Sequence, residues 1–216
     1  MADKSTRAEQ TNATRELILT TAERLFAEYG VYAVSNRQIA EAAGQGNTAV
    51  VGYHVGTKTD LVRAIARRHT NQIERLRVQM VTEASGSVEV RHWVACLVCP
   101  TTQHLAELGQ PTWLARFNAQ VMTDPALREI LVQESMASPS MVETIECLNR
   151  CLPDMPVEVR VERGDMARQL MVHMVAERER AIAEGTPTPW VNWHDAARGL
   201  IDAITGLWLA PVTPQS

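Results

Sequence analysis

The chain has 216 residues, 45% of them apolar and 21% charged, with a formal net charge of −4. That is the ordinary balance of a soluble globular protein, long enough to bury a real core as one domain or as a small domain plus a larger one. The polar start MADKSTRAEQTNATRE lacks the apolar stretch of an export signal, and no uncharged apolar run reaches membrane-spanning length, so a cytoplasmic protein is expected. The charge is uneven: residues 1–80 hold eleven Lys and Arg against eight Asp and Glu, while residues 81–216 hold ten against seventeen. A basic head on an acidic body points the head towards a polyanion, although an excess of three charges is small.

In chain order the pattern is helix after helix. Ile18, Ala22, Leu25, Phe26 and Tyr29 recur at three- and four-residue spacing, which predicts a helix from about Asn12 to Tyr29, stopped by Gly30. Ser35-Asn36-Arg37-Gln38 has the form of a capping box and opens a short second helix that ends at Gly44. Asn47 or Thr48 can cap a third helix through His54. Thr57-Lys58-Thr59-Asp60 is a further cap signal, opening a long helix with Leu61, Ile65, Ile73 and Leu76 that lasts to about Val81.

Ala84-Ser85-Gly86-Ser87 is the best linker candidate. Beyond it, helices are predicted from about Val88 to Leu108 and from Pro111 to Met122. Another starts at Asp124-Pro125 and continues to about Leu152, interrupted at Ser138-Pro139. Two more run from about Val159 to Glu184 and from Asn192 to Leu209. Strand-like alternation occurs only around Val157–Val161, where PVEVRVE could be a short strand or a helix start. The expected fold is all-α: a three-helix helix-turn-helix head over residues 1–60, a connecting helix over 61–84 and a helical body over 85–216.

The stretch AGQGNTAVVGYHVGTK, Ala43 to Lys58, holds four glycines and one of only two lysines. GQGNTA satisfies the dinucleotide fingerprint G-x-G-x-x-G/A. That fingerprint needs a strand before it, however, and RQIAEAA is helical. A P-loop fails because Thr57 separates Gly56 from Lys58. A helix-turn-helix fits better: one short helix braces another in a major groove. TAVVGYH suits the groove helix. Ala49, Val50 and Gly52 keep its surface low, while Thr48, Tyr53 and His54 offer hydrogen bonds to base edges or phosphates. Gly52 inside a helix costs roughly 1 kcal/mol relative to alanine.

Residues 14–62 resemble the DNA-binding domain of TetR-family transcriptional regulators. The resemblance rests on ILTTAERLFAEYG, on IAEAAG, and on the Y-H-x-G-x-K-x-x-L run of Tyr53, His54, Gly56, Lys58 and Leu61. Within that family the chain is similar to a subgroup with an AGQ-x-N turn and an S-A-V-x-Y-H helix, with Gly46 where an arginine is frequent and Val55 in place of the usual phenylalanine. The resemblance implies that Tyr53 and His54 contact DNA from the recognition helix. It also implies that Lys58, beside Thr57, holds a phosphate, that Asn47 and Thr48 sit at the base-facing end, and that Arg37 reaches a flanking phosphate. The bland alternatives are a packed tyrosine, a helix-end histidine and a solvated arginine.

The resemblance further implies a body that senses a small molecule and dimerises through its last two helices, on a palindromic operator bound as a repressor. Apolar stripes support the dimer: Met166, Leu170, His173, Met174 and Ile182 on one helix, and Ala196, Leu200, Ala203, Ile204, Leu207 and Trp208 on the last. The alternative is that these stripes form the chain's own core. For a mostly apolar ligand the candidates are Trp113, Phe117, Met122, Met136 and Met141, with His104, Arg116 and Glu134 as orienting groups. Cys96/Cys99 and Cys147/Cys151 lie at i,i+3 and i,i+4, so a thiol- or metal-responsive regulator is a second reading; without an export signal they are expected as reduced thiols. No cofactor is called for. No catalytic motif such as H-E-x-x-H occurs, which leaves an enzyme, or an adaptor that does not bind DNA, as the remaining alternatives.

Overall fold

A computed structural model describes residues 2–213, with side chains from residue 9 onward. Every regular element among the described residues is an α-helix: α1 (Ala2–Tyr29), α2 (Asn36–Ala42), α3 (Val50–His54), α4 (Lys58–Glu83), α5 (Val90–Glu107), α6 (Leu114–Met122), α7 (Pro125–Met136), α8 (Pro139–Cys151), α9 (Val157–Ala183) and α10 (Trp193–Leu209). None of them is long and apolar enough to cross a membrane.

Most boundaries fall within a turn of the expected ones, and the differences have local causes. α1 begins at Ala2, ahead of the expected Asn12. α3 begins at Val50 because Asn47 closes a turn first: its side-chain oxygen accepts the Ala49 N–H at 2.9 Å and its carbonyl accepts the Val50 N–H at 3.2 Å. α6 starts at Leu114, three residues after Pro111. The ambiguous PVEVRVE is the first turns of α9, entered from Pro156.

The chain forms two compact units. The first comprises the chain up to His69 together with Trp113–Glu134; the second comprises Thr70–Thr112 and the chain from Ser135 onward. The expected head ended at residue 60, yet residues 113–134 pack with it. In this first unit Ile18, Leu19, Ala22, Leu25 and Phe26 of α1 form the buried stripe that the spacing foretold, joined by Ile39 and Ala40 of α2, Val51 of α3 and Leu61, Val62 and Ile65 of α4. The core is closed by Phe117 and Val121 of α6 and by Leu127, Ile130 and Leu131 of α7. Phe26 and Phe117 stack with centroids 6.4 Å apart. Glu23, 4% exposed, is a buried charge satisfied by Arg68 and by His69 Nε2 at 3.0 Å.

In the second unit α5 packs against both α8 and α10, and α10 also packs on α9. Pro100 lies inside α5 and cannot donate to the carbonyl four residues back, that of Cys96. The buried Arg77 takes that acceptor, with Nε 3.1 Å from Cys96 O. Glu74 serves the start of α8 in the same way, accepting from the Ser140 N–H at 3.1 Å, from the Ser140 hydroxyl and from the Ser138 hydroxyl. Arg163 takes the Trp208 and Pro211 carbonyls, at 2.9 and 3.2 Å, where α10 ends. In this unit the buried Arg77, Arg163 and Arg178 each donate to backbone carbonyls, and Arg77 also pairs with Glu74 at 3.7 Å.

Candidate nucleic-acid interface

Two capping boxes frame the glycine-rich stretch. At the start of α2 the Gln38 N–H donates to Ser35 Oγ at 3.2 Å, and the Ser35 N–H donates to Gln38 Oε1 at 2.8 Å. Thr57 and Asp60 repeat the arrangement at the start of α4: Asp60 N to Thr57 Oγ1 is 3.2 Å and Thr57 N to Asp60 Oδ2 is 2.9 Å. Gly44, with φ +66°, turns the chain after α2, and its N–H donates to the Glu41 carbonyl. α3 is thus held between two fixed ends, and α2 and α1 both contact it.

α3 has one fully buried residue, with Val50 packed partly against the same core. Val51 is fully buried, whereas Thr48, Ala49, Gly52 and Tyr53 are exposed and Val50 and His54 are half-buried. Tyr53 is 84% exposed, which removes the reading of a packed core tyrosine. Its ring meets the His54 ring edge-on, with centroids 5.0 Å apart. The phenol and imidazole rings thus neighbour each other on the helix, and their polar groups could serve a base edge or a phosphate. Asn47 and Thr57 are exposed as well, each already engaged in its own turn or cap.

The two cations differ. Among the described residues Lys58 has no ion-pair partner; its ammonium lies 5.9 Å from the centroid of the Tyr32 ring, and partial burial lowers its pKa. Arg37 is exposed on α2 and bonded to Glu41 at 2.7 Å, a contact that raises its pKa. A phosphate at Arg37 competes with that carboxylate, while one at Lys58 has no such rival. Tyr32 was not among the expected residues. It stands between α1 and α2 with its ring 5.9 Å from the Lys58 ammonium, and burial together with the nearby Asp124 carboxylate raises its pKa; that carboxylate also caps α7 through the Ala126 and Leu127 N–H groups, both at 2.9 Å. No spacing rule in the sequence points to it.

The ligand candidates divide between the two units. Trp113, Arg116, Phe117 and Met122 belong to the first, where Phe117 has no exposure and Trp113 and Met122 pack against the same core. His104, Met136 and Met141 belong to the second: His104 is buried, Met136 is 44% exposed and Met141 is half-buried. Glu134 binds Arg67 at 2.7 Å and Arg63 at 3.6 Å.

Of the interface candidates, His173 and Met174 are exposed and Leu170 and Leu207 half-buried. Leu200, Ile204 and Trp208 instead face the chain's own core, at 6%, 2% and 5% exposure. The stripe on α10 is therefore divided between an inward side and an outward one.

All four cysteines are free thiols, Cys96 and Cys147 buried and Cys99 and Cys151 half-buried. Burial pushes the Cys96 thiol up to about 11 and raises that of Cys99, so both remain protonated at neutral pH. Cys147 accepts a hydrogen bond from Arg150 at 2.8 Å. Among the described residues no group of three or more His, Cys, Asp or Glu is placed to hold a metal ion.

Comparison with known proteins agrees with this architecture. Residues 18–65 match the family described as bacterial regulatory proteins, tetR family, and residues 95–206 match the tetracyclin repressor-like C-terminal domain. No curated protein matches the chain in sequence. Among solved structures, a TetR family transcription regulator from Marinobacter aquaeolei superposes with a TM-score of 0.63 at 14% identity, covering 93% of this chain and 97% of that one. NalD, the secondary repressor of the MexAB-OprM multidrug efflux pump in Pseudomonas aeruginosa, gives 0.55 at 22% identity, covering 94% and 100%. PfmR, a TetR family transcriptional regulator from Thermus thermophilus, gives 0.54 at 14%, covering 91% and 96%. At these identities the likeness is one of fold. The C-terminal match alone spans more than half of the chain, and together with the N-terminal match it establishes that the protein belongs to the TetR family of bacterial regulatory proteins.

Proposed function

We propose that the protein is a homodimeric, ligand-responsive repressor acting in the cytoplasm, which places α3 of each protomer in the major groove of an approximately palindromic operator. The observation that carries this reading is the exposed face of α3, with Tyr53 84% exposed on a helix whose anchor, Val51, is fully buried. Tyr53 and His54 contact base edges or phosphates, Thr48 and Asn47 serve the N-terminal end, Lys58 holds a phosphate, and Arg37 reaches another after exchanging Glu41 for it.

Dimerisation is supported by the outward sides of α9 and α10. Val157, Val161, Met166, Met174 and Leu209 are exposed there, and a Cβ on the exposed Gly206 would meet nothing within 4 Å, so a partner helix can approach closely. Release is supported by the place of α6. A small, mostly apolar molecule that engages Trp113, Arg116 or Met122 acts on a helix whose Phe117 stacks on Phe26 of α1. The two states of that contact would be the element that both ligands bias. The role of NalD as a repressor fits this reading.

The test is a mobility shift with the DNA flanking the protein's own gene, at two salt concentrations and with unrelated DNA as competitor. Specific binding that weakens steeply with salt is expected. Binding that unrelated DNA displaces equally well, or that ignores salt, contradicts the proposal.

A further inference from the structure

Four glycines punctuate residues 44–56, and the fold requires only two of them. Gly44 and Gly56 have φ of +66° and +102°, and a Cβ on Gly56 would stand 2.7 Å from Asp60 Oδ2. Gly46 has open space around it, but it lies in a turn, where glycine carries no helix penalty. Gly52 is a different case. It sits inside α3, its φ lies outside the left-handed region, it is exposed, and a Cβ built on it meets nothing within 4 Å. Neither turn geometry nor packing among the described residues calls for glycine there, and alanine would favour the helix.

α3 is poorly placed to bear that penalty. It has five residues, no side-chain cap at Ala49 and one buried anchor, Val51. A residue that weakens such a helix without serving the free chain is explained by a partner that comes close to its backbone. Tyr53, the next residue, projects beside it into solvent, and Ala49, one turn earlier, is small and exposed. Resting on the DNA-binding reading, we infer that Gly52 is the point of closest approach between the α3 backbone and the operator, where the duplex lies in van der Waals contact with Cα and leaves no room for a Cβ. Gly52 sets the depth at which α3 seats in the groove, and so positions Tyr53 and His54 for their contacts. It contributes neither charge nor a hydrogen-bonding side chain, so its role is steric.

The experiment compares wild type, Gly52→Ala and Gly52→Ser on a duplex that the wild-type protein selects from a randomised pool. Gly52→Ala is expected to melt a few degrees higher than wild type and to lose at least tenfold in affinity. The slope of log affinity against log salt should stay unchanged, because no phosphate contact is removed. Gly52→Ser, which shares the Cβ but gains less helix stability, should show a similar loss of affinity with a smaller rise in melting temperature. Wild-type affinity in both variants overturns the inference and leaves the operator reading intact. A lower melting temperature in Gly52→Ala also overturns it, since the fold itself would then require the glycine. If the wild-type protein selects no sequence from the pool, the operator reading falls and the inference falls with it.

Discussion

The two short helices of the head are built on opposite terms. α2 has seven residues, a reciprocal capping box at Ser35 and two buried side chains, Ile39 and Ala40. α3 has five residues, no side-chain cap, a glycine at its centre and Val51 as its only buried residue. One helix carries its own stabilisation; the other depends on its neighbours and keeps its remaining surface for something else. A five-residue helix has too few internal hydrogen bonds to persist alone, so α3 exists because Val51 is buried and because α2 and α4 fix its ends. The helix proposed to read DNA is held in place by the helix that is not.

Substitutions can break or sharpen that contrast. The largest effect is expected at Val51: Val51→Ala removes the anchor of α3 and should cost about 2 kcal/mol in chemical denaturation, with operator binding lost alongside. Wild-type stability in that variant would mean that α3 is held by its ends alone. Next comes Tyr53→Ala, expected to leave the denaturation curve unchanged while affinity in a mobility shift falls at least tenfold. A stability loss there would make Tyr53 a structural residue despite its exposure. Ser35→Ala should show the converse pattern, lowering stability by about 1 kcal/mol through the lost cap and leaving affinity within a few-fold of wild type. The smallest change is expected from Glu41→Ala, which frees Arg37 from its 2.7 Å partner. Its thermal midpoint should match wild type, and operator affinity should rise a few-fold with the salt slope unchanged, because Arg37 meets its phosphate in both proteins and no longer gives up a carboxylate to do so. An unchanged affinity would remove Arg37 from the interface.

What the sequence disclosed follows the same division between local and distant causes. The boxes at Ser35–Gln38 and Thr57–Asp60 are three-residue relations, and both form as their residues suggest. The buried stripe of α1 was legible from its period. The union of α6 and α7 with the head was not, because it depends on Phe26 meeting Phe117 across about ninety residues of chain, which no local pattern encodes. Periodicity marked Leu200, Ile204, Leu207 and Trp208 as one apolar stripe without saying which way it faces; three of the four turn inward and Leu207 is half-buried. Around Val157–Val161, alternation of β-branched residues suggested a strand as readily as a helix. The outcome is helical, entered from Pro156 and continuous with the rest of α9, with Val157 and Val161 left exposed. For the proposed interface, Tyr53, His54 and Lys58 could be named as candidates because their spacing resembles the family motif. Tyr32 could not be, since it reaches Lys58 only through the fold.

The central claim is that two copies of this chain read DNA through paired α3 helices. Hydroxyl-radical footprinting of the wild-type protein on its selected duplex tests it most directly. The account expects two protected half-sites related by approximate two-fold symmetry, with centres about 10 base pairs apart or a multiple of that, and expects both protections to vanish with Tyr53→Ala. A single asymmetric footprint, or protection that survives Tyr53→Ala unchanged, would contradict it.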